Sequence, residues 1–279
     1  MEKSSENKTN QGSGGITISP TEAEEFCRFK RQKRREEVEA ALARSSFFAA
    51  DYTLTPTELR RIAEGAKRIG GAAVKVHPVL VPSMRYALGG SKAAVDAIVG
   101  GTGESTVKVK AYEAKRAVRD GAREITLVLC RSALKNGRTG DTRKEVKKVC
   151  RAAKKAIVKI AADAELGYEE FLRLARLASE TGAKFLSVPY FAGVERLRRD
   201  MHDQCMLEVT GVENAADYKT LVAAGVERIG SSHAETIYKE WMAEAEKTAI
   251  AVAAPEPKPT PPIPSSATVK PKTVGAGTR

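Results

Sequence analysis

Two lysines stand inside apolar, strand-like runs: Lys75 in AAVKVHP (72–78) and Lys159 in IVKIAA (157–162). An amine in an apolar wall can attack a carbonyl carbon and form a Schiff base, provided that it is deprotonated and a neighbouring cation lowers its pKa. The acids that could sit near it are Asp163, just past the second run, and Glu208 in CMLEVTG (205–211). Lysine and glutamate in a core have a second, plainer reading as a matched ion pair that fills space. Both readings stand on sequence: a rewired polar centre built from Lys75 or Lys159 with Glu208 and Asp163, or a buried structural pair. Glu208 argues against a reactive amine, because a carboxylate raises the pKa of a neighbouring lysine.

Other residues suggest anion recognition. RIGSSH (228–233) and VTGVEN (209–214) each end a strand-like run in a glycine turn. Gly211, Gly230, Ser231 and Ser232 are therefore candidate phosphate ligands through backbone N–H groups and hydroxyls, with simple turn chemistry as the alternative. GGTGEST (100–106) precedes a helical pattern and is a weaker candidate of the same kind. His77 reads as a strand-end hydrogen-bonding residue or a base, and His233 as a helix cap or an anion contact. In DGAREITLVL (120–129), Thr126 is a lone hydroxyl within the apolar run.

These residues need a scaffold that brings strand ends together. Strands are expected at 72–78, 94–101, 124–129, 157–162, 184–190, 205–211 and 228–232, with a short one at 51–54. Helices are expected at 56–69, 107–120, 143–156, 168–181 and 215–224. Several helical runs close on a glycine just before a strand, as in Arg-Asp-Gly-Ala and Glu-Thr-Gly-Ala, which is C-cap chemistry. About eight strands alternating with helices predict an α/β fold, a (β/α)8 TIM barrel, with an open doubly wound sheet as the fallback. In a barrel the chemistry belongs at the C-terminal strand ends.

Taken in order, these stretches resemble the deoxyribose-phosphate aldolase family across most of Asp51–Ser232. The resemblance rests on Asp51-Tyr52-Thr53-Leu54, on VKVHPVLVP (74–82), on VGGTGESTVKVKAYEAKRAVRDGAREITLVLCRSALKNG (99–137) and on AGVERIGSS (224–232). It implies a class I aldolase barrel with a Schiff-base lysine on the sixth strand, a second lysine on the seventh and an aspartate on the fourth. At the matching positions this chain has Ser187, Glu208 and Thr126. A hydroxyl cannot form an imine, and Glu208 reverses the local charge. The resemblance thus implies a degenerate barrel without that aldolase activity, binding a small phosphorylated ligand or serving as a scaffold. The alternative is an active lyase with its Schiff base relocated to Lys75 or Lys159, with Asp163 as a further candidate participant. Lys75 takes a position where the family often has a pocket-facing cysteine, and Lys159 matches a lysine that the family keeps. No cofactor is implied.

Composition bounds the remaining classes. The 279 residues are 42% hydrophobic and only 5% aromatic, with a formal net charge of +12. That balance permits anionic partners without choosing among them. Four cysteines, none in a CxxC pair, fit reduced thiols and no zinc site. No apolar run approaches a membrane span and the polar N-terminus lacks a secretory core, so the expectation is cytoplasmic, with no membrane partner. The expected organisation is disorder over 1–17, a charged helix over 18–46, the barrel over 47–248 and a Pro-rich disordered tail over 249–279. The helix carries RFKRQKRR (28–35), read either as a solvated face or as a partner-binding surface. Nucleic acid is the weakest of these partners. A protein partner on the helix or the Pro-rich tail, and a homo-oligomer, also stand.

Overall fold

Short capping signals set where the helices begin. Ser19 accepts from Glu22 N while Glu22 Oε2 accepts from Ser19 N, a reciprocal capping box that opens α1 (Pro20–Leu42). Thr55 and Glu58 repeat the device at α2 (Pro56–Arg68). In both, proline occupies the first turn, where its missing N–H has no consequence. The computed structural model describes residues 19–51, 53–202 and 204–251. The disorder expected over 1–17, and the tail from 252 onward, lie outside the described residues.

Eight parallel strands follow: β1 (Ser45–Ala49), β2 (Ala73–Val76), β3 (Ala94–Val99), β4 (Glu124–Val128), β5 (Ile157–Ala161), β6 (Phe185–Pro189), β7 (Met206–Thr210) and β8 (Arg228–Ser231). They pair in chain order and close when β1 meets β8, with Ser46 opposite Gly230. The remaining helices are α3 (Val81–Ala87), α4 (Val107–Asp120), α5 (Arg131–Lys135), α6 (Thr139–Ala153), α7 (Tyr168–Thr181), α8 (Glu195–Asp200), α9 (Ala215–Ala223) and α10 (Ala234–Ala251). This is the (β/α)8 barrel. Alternation along each strand sorts its side chains. Val158 and Ile160 are buried on one face of β5, and Lys159 points to the other, the barrel interior. Gly121 and Gly182 take positive φ at the ends of α4 and α7, as their sequence position required.

Three expectations are corrected. The first strand is Ser45–Ala49 rather than 51–54, because Asp51 Oδ1 accepts from Thr53 N and Oγ1 and folds that segment into a turn. Helices α3, α5, α8 and α10 have no counterpart among those expected. Three of them are too short to show a helical period, and α10 carries helix to Ala251, since no proline interrupts it before Pro255.

The glycine loop 100–106 is also not an open anion cradle. Lys110 fills it: its Nζ donates to the carbonyls of Gly103 (2.6 Å) and Val128 (2.9 Å) and pairs with Glu145. Glu113 accepts from Gly100 N at 2.8 Å. Gly103 has φ +94°, and a Cβ there would come within 2.3 Å of Leu129 O. The glycines are present so that this loop can lie against the end of β4. Gly103→Ala is accordingly expected to lower unfolding free energy by about 1–3 kcal/mol, measured by urea titration.

Candidate functional site

Strand alternation turns one charged side chain after another into the barrel interior. Glu208 on β7 lies at the centre. Its Oε1 accepts from Lys159 Nζ at 2.8 Å and from Ser46 Oγ at 3.1 Å, and its Oε2 accepts from Lys75 Nζ at 2.8 Å. Lys159 also meets Asp96 at 2.9 Å and Glu124 at 2.7 Å. Arg228 pairs with Glu124 at 3.0 Å. The Thr126 hydroxyl lies 2.9 Å from both oxygens of Asp96. Lys159 and Arg228 flank the Phe185 ring at 5.3 and 5.5 Å from its centroid. The three cations and three carboxylates are all buried, and their charges balance.

That balance governs protonation. Burial alone would push the Lys159 ammonium toward the neutral amine, but Asp96, Glu208 and Glu124 outweigh it and hold the lysine above its ordinary value. Burial likewise opposes the Glu208 carboxylate, yet Lys159 and Lys75 hold it well below the usual carboxylate range. Lys159 is thus a protonated cation at neutral pH.

A cavity of about 530 Å³ opens above this layer at the C-terminal ends of the strands. Lys75, Thr126, Ser187 and Thr210 line it, and an Arg131–Asp163 ion pair stands at its rim. Lys159 does not line it. Among the described residues the Ser187 hydroxyl makes no hydrogen bond and borders the cavity.

No protein-family model matches the chain. A deoxyribose-phosphate aldolase from Thermoanaerobacter sp. is 30% identical over 210 residues, spanning 68% of this chain and 94% of that protein. Deoxyribose-phosphate aldolase 1 from Staphylococcus aureus is 31% identical over 212 residues, spanning 70% and 96%. The chain belongs to the deoxyribose-phosphate aldolase family. Solved structures agree on the fold. The aldolase QR15 superposes with a TM-score of 0.68 at 24% identity, over 73% of this chain and 96% of that one. A tetrameric deoxyribose phosphate aldolase from Aeropyrum pernix gives 0.65 at 20% identity, over 80% and 98%.

The positions that the resemblance assigns to the family's aspartate and two lysines hold Thr126, Ser187 and Glu208. The structure places all three in the barrel, Thr126 and Ser187 on the cavity wall and Glu208 beneath it. Lys75 and Lys159 meet Glu208 as the sequence suggested. Asp163 does not join them: it sits past the end of β5 and is held by Arg131. Asp96, Glu124 and Arg228 take its place, and all three escaped the sequence reading. The available signal was a charge inside an otherwise apolar strand, as in Ala94–Val99. Of the anion candidates, Gly230 accepts at its carbonyl from Val212 N, the residue after Gly211, at 3.1 Å. Ser231 is buried and its Oγ accepts from His233 N at 2.9 Å, whereas Ser232 is exposed. His77 Nε2 lies 2.8 Å from Ala50 O, the strand-end role expected of it.

Deleting one partner of a buried pair costs about 3–5 kcal/mol, so Glu208→Gln is expected to lose about that much in urea unfolding. Sign matters for its pH dependence. Glu208, held low, contributes stability above its unfolded pKa of about 4.3 and loses it only as pH falls through the lower folded value. Lys159, held high, contributes below its unfolded pKa of about 10.4 and loses it only as pH rises through the higher folded value. The difference in unfolding free energy between the unchanged chain and Glu208→Gln should therefore be flat from about pH 5 to pH 10.

Proposed function

We propose that this chain is a ligand-binding member of the aldolase family, a pseudoenzyme without the family's carbon–carbon cleavage. One observation carries the reading: both interior amines are tied to Glu208, while the position that the resemblance assigns to the Schiff-base lysine holds Ser187. A Schiff base needs a free electron pair on nitrogen, and an ammonium held between carboxylates has none. The cavity retains what a small phosphorylated polyol or carbonyl compound requires, namely hydroxyls at Thr126, Ser187 and Thr210 and a cation at Arg131. Gly211, Gly230, Ser231 and Ser232 do not line the cavity itself but adjoin its Thr210 wall, and they are the proposed phosphate side. Gly211 and Ser232 are exposed there, which supports a backbone and hydroxyl contact with an anion.

One observation favours a second reading, an active lyase with a relocated nucleophile. Lys75 is the network lysine that borders the cavity, so a substrate carbonyl would meet that amine first. Transfer of its proton to Glu208 would then have to precede attack.

Borohydride trapping separates the two. The protein is incubated with 2-deoxyribose 5-phosphate, reduced, digested and mapped by mass spectrometry. The pseudoenzyme reading expects no reduced adduct on Lys75 or Lys159, together with a ligand-dependent rise in melting temperature. A stoichiometric adduct on either lysine overturns it in favour of the relocated Schiff base.

A further inference from the structure

We propose that the outer face of α1 is a self-complementary interface, and that it pairs antiparallel with α1 of a second copy of this chain. Helical spacing puts Glu22, Phe26, Phe29 and Lys33 on one stripe, with Glu25 and Lys30 beside it. The opposite side supplies Val38, Ala41 and Leu42 to the interior and packs α1 along α10. The stripe is open: Phe26 is 50% and Phe29 60% exposed. Lys30 Nζ stands over the Phe26 ring at 5.3 Å. Among the described residues Glu25 and Lys33 have neither a hydrogen bond nor an ion pair.

The order of these residues selects the occupant. In an antiparallel pair centred between Cys27 and Arg28, Phe26 faces Phe29 of the second copy. Glu25 then faces Lys30, and Glu22 faces Lys33. Each contact occurs twice by the two-fold axis, so one stripe satisfies itself. A parallel pair would instead set Lys33 against Lys33 and Glu22 against Glu22, which like-charge repulsion disfavours. The same order argues against a long polyanion. The basic block 28–35 is about 12 Å long at helical rise. Glu22, Glu24 and Glu25 bound it on one side and Glu36, Glu37 and Glu39 on the other. A nucleic-acid strand following the helix would run onto carboxylates at both ends. The stripe from Glu22 to Lys33 spans about 16 Å, so this contact is small and its association correspondingly weak.

A charge-swapped pair tests the register. Sedimentation velocity is run on full-length protein over a concentration series, with circular dichroism confirming that each variant keeps its helix. The unchanged chain is expected to show an association step. Glu25→Lys alone and Lys30→Glu alone should each weaken it about tenfold or more, because each places like charges opposite one another twice. An equimolar mixture of the two variants should restore it. The lysine introduced in one variant then faces the glutamate introduced in the other, and the retained Lys30 of the first faces the retained Glu25 of the second. Phe26→Ser with Phe29→Ser should abolish the step without rescue. The proposal fails if the unchanged chain shows no association step, or if either single charge variant assembles as the unchanged chain does. It also fails if mixing gives no recovery, or if Glu25→Lys tightens binding to a fluorescent oligonucleotide while self-association stays absent, the behaviour of a polyanion surface.

Discussion

Everything inside this barrel depends on one carboxylate with two lysines. Glu208 spans the distance between Lys75 and Lys159, one oxygen to each. A charge so deeply buried is tolerated only when it is paired and hydrogen-bonded, and Glu208 has three donors. Its negative charge pairs with both cations and helps to hold Lys159 protonated. Those cations in turn require Asp96 and Glu124, and Glu124 requires Arg228 at the start of β8. One carboxylate on β7 thus sits at the centre of charged groups from six of the eight strands.

Around this network the chain keeps the closed eight-stranded barrel of its family. The frame around the network rests on separate contacts. Lys110 and Glu145 clamp the glycine loop, glycines close α4 and α7, and the C-terminal strand ends surround a cavity. Stability and site chemistry occupy separate layers of the same strands. Inward residues near the strand starts and middles form the ion network, and inward residues near the strand ends line the cavity. Lys75 belongs to both layers, which makes it the residue where ligand binding and the network can influence one another.

The barrel was legible in the sequence because its signals are local: apolar runs of strand length alternating with helical runs, and glycine before several of the strands. Thr126, Ser187 and Glu208 could be assigned to family positions from sequence because the neighbouring motifs set a register for them. What escaped was combinatorial. Asp96 and Asp163 both follow apolar residues, and only barrel closure decides which one faces Lys159. Asp96 pairs in register next to Lys75 on β2, whereas Asp163 lies past the end of β5. The glycine loop misled for a related reason. Glycine before a helix reads the same whether it admits an anion or a lysine from the next turn, and Lys110 lies in an exposed-looking, charge-rich helix. The short helices escaped because five to seven residues carry too little period to recognise.

The protonation state of the two interior lysines decides whether the site can do amine chemistry at all. Side-chain nitrogen NMR on protein labelled with ¹⁵N-lysine reads it directly, with Lys75→Met and Lys159→Met assigning the signals. The network predicts a slowly exchanging ammonium resonance from Lys159, shielded from solvent and unchanged in chemical shift from about pH 5 to pH 10. A Lys159 resonance that titrates near neutral pH would contradict it, and would identify a nucleophile poised to form a Schiff base.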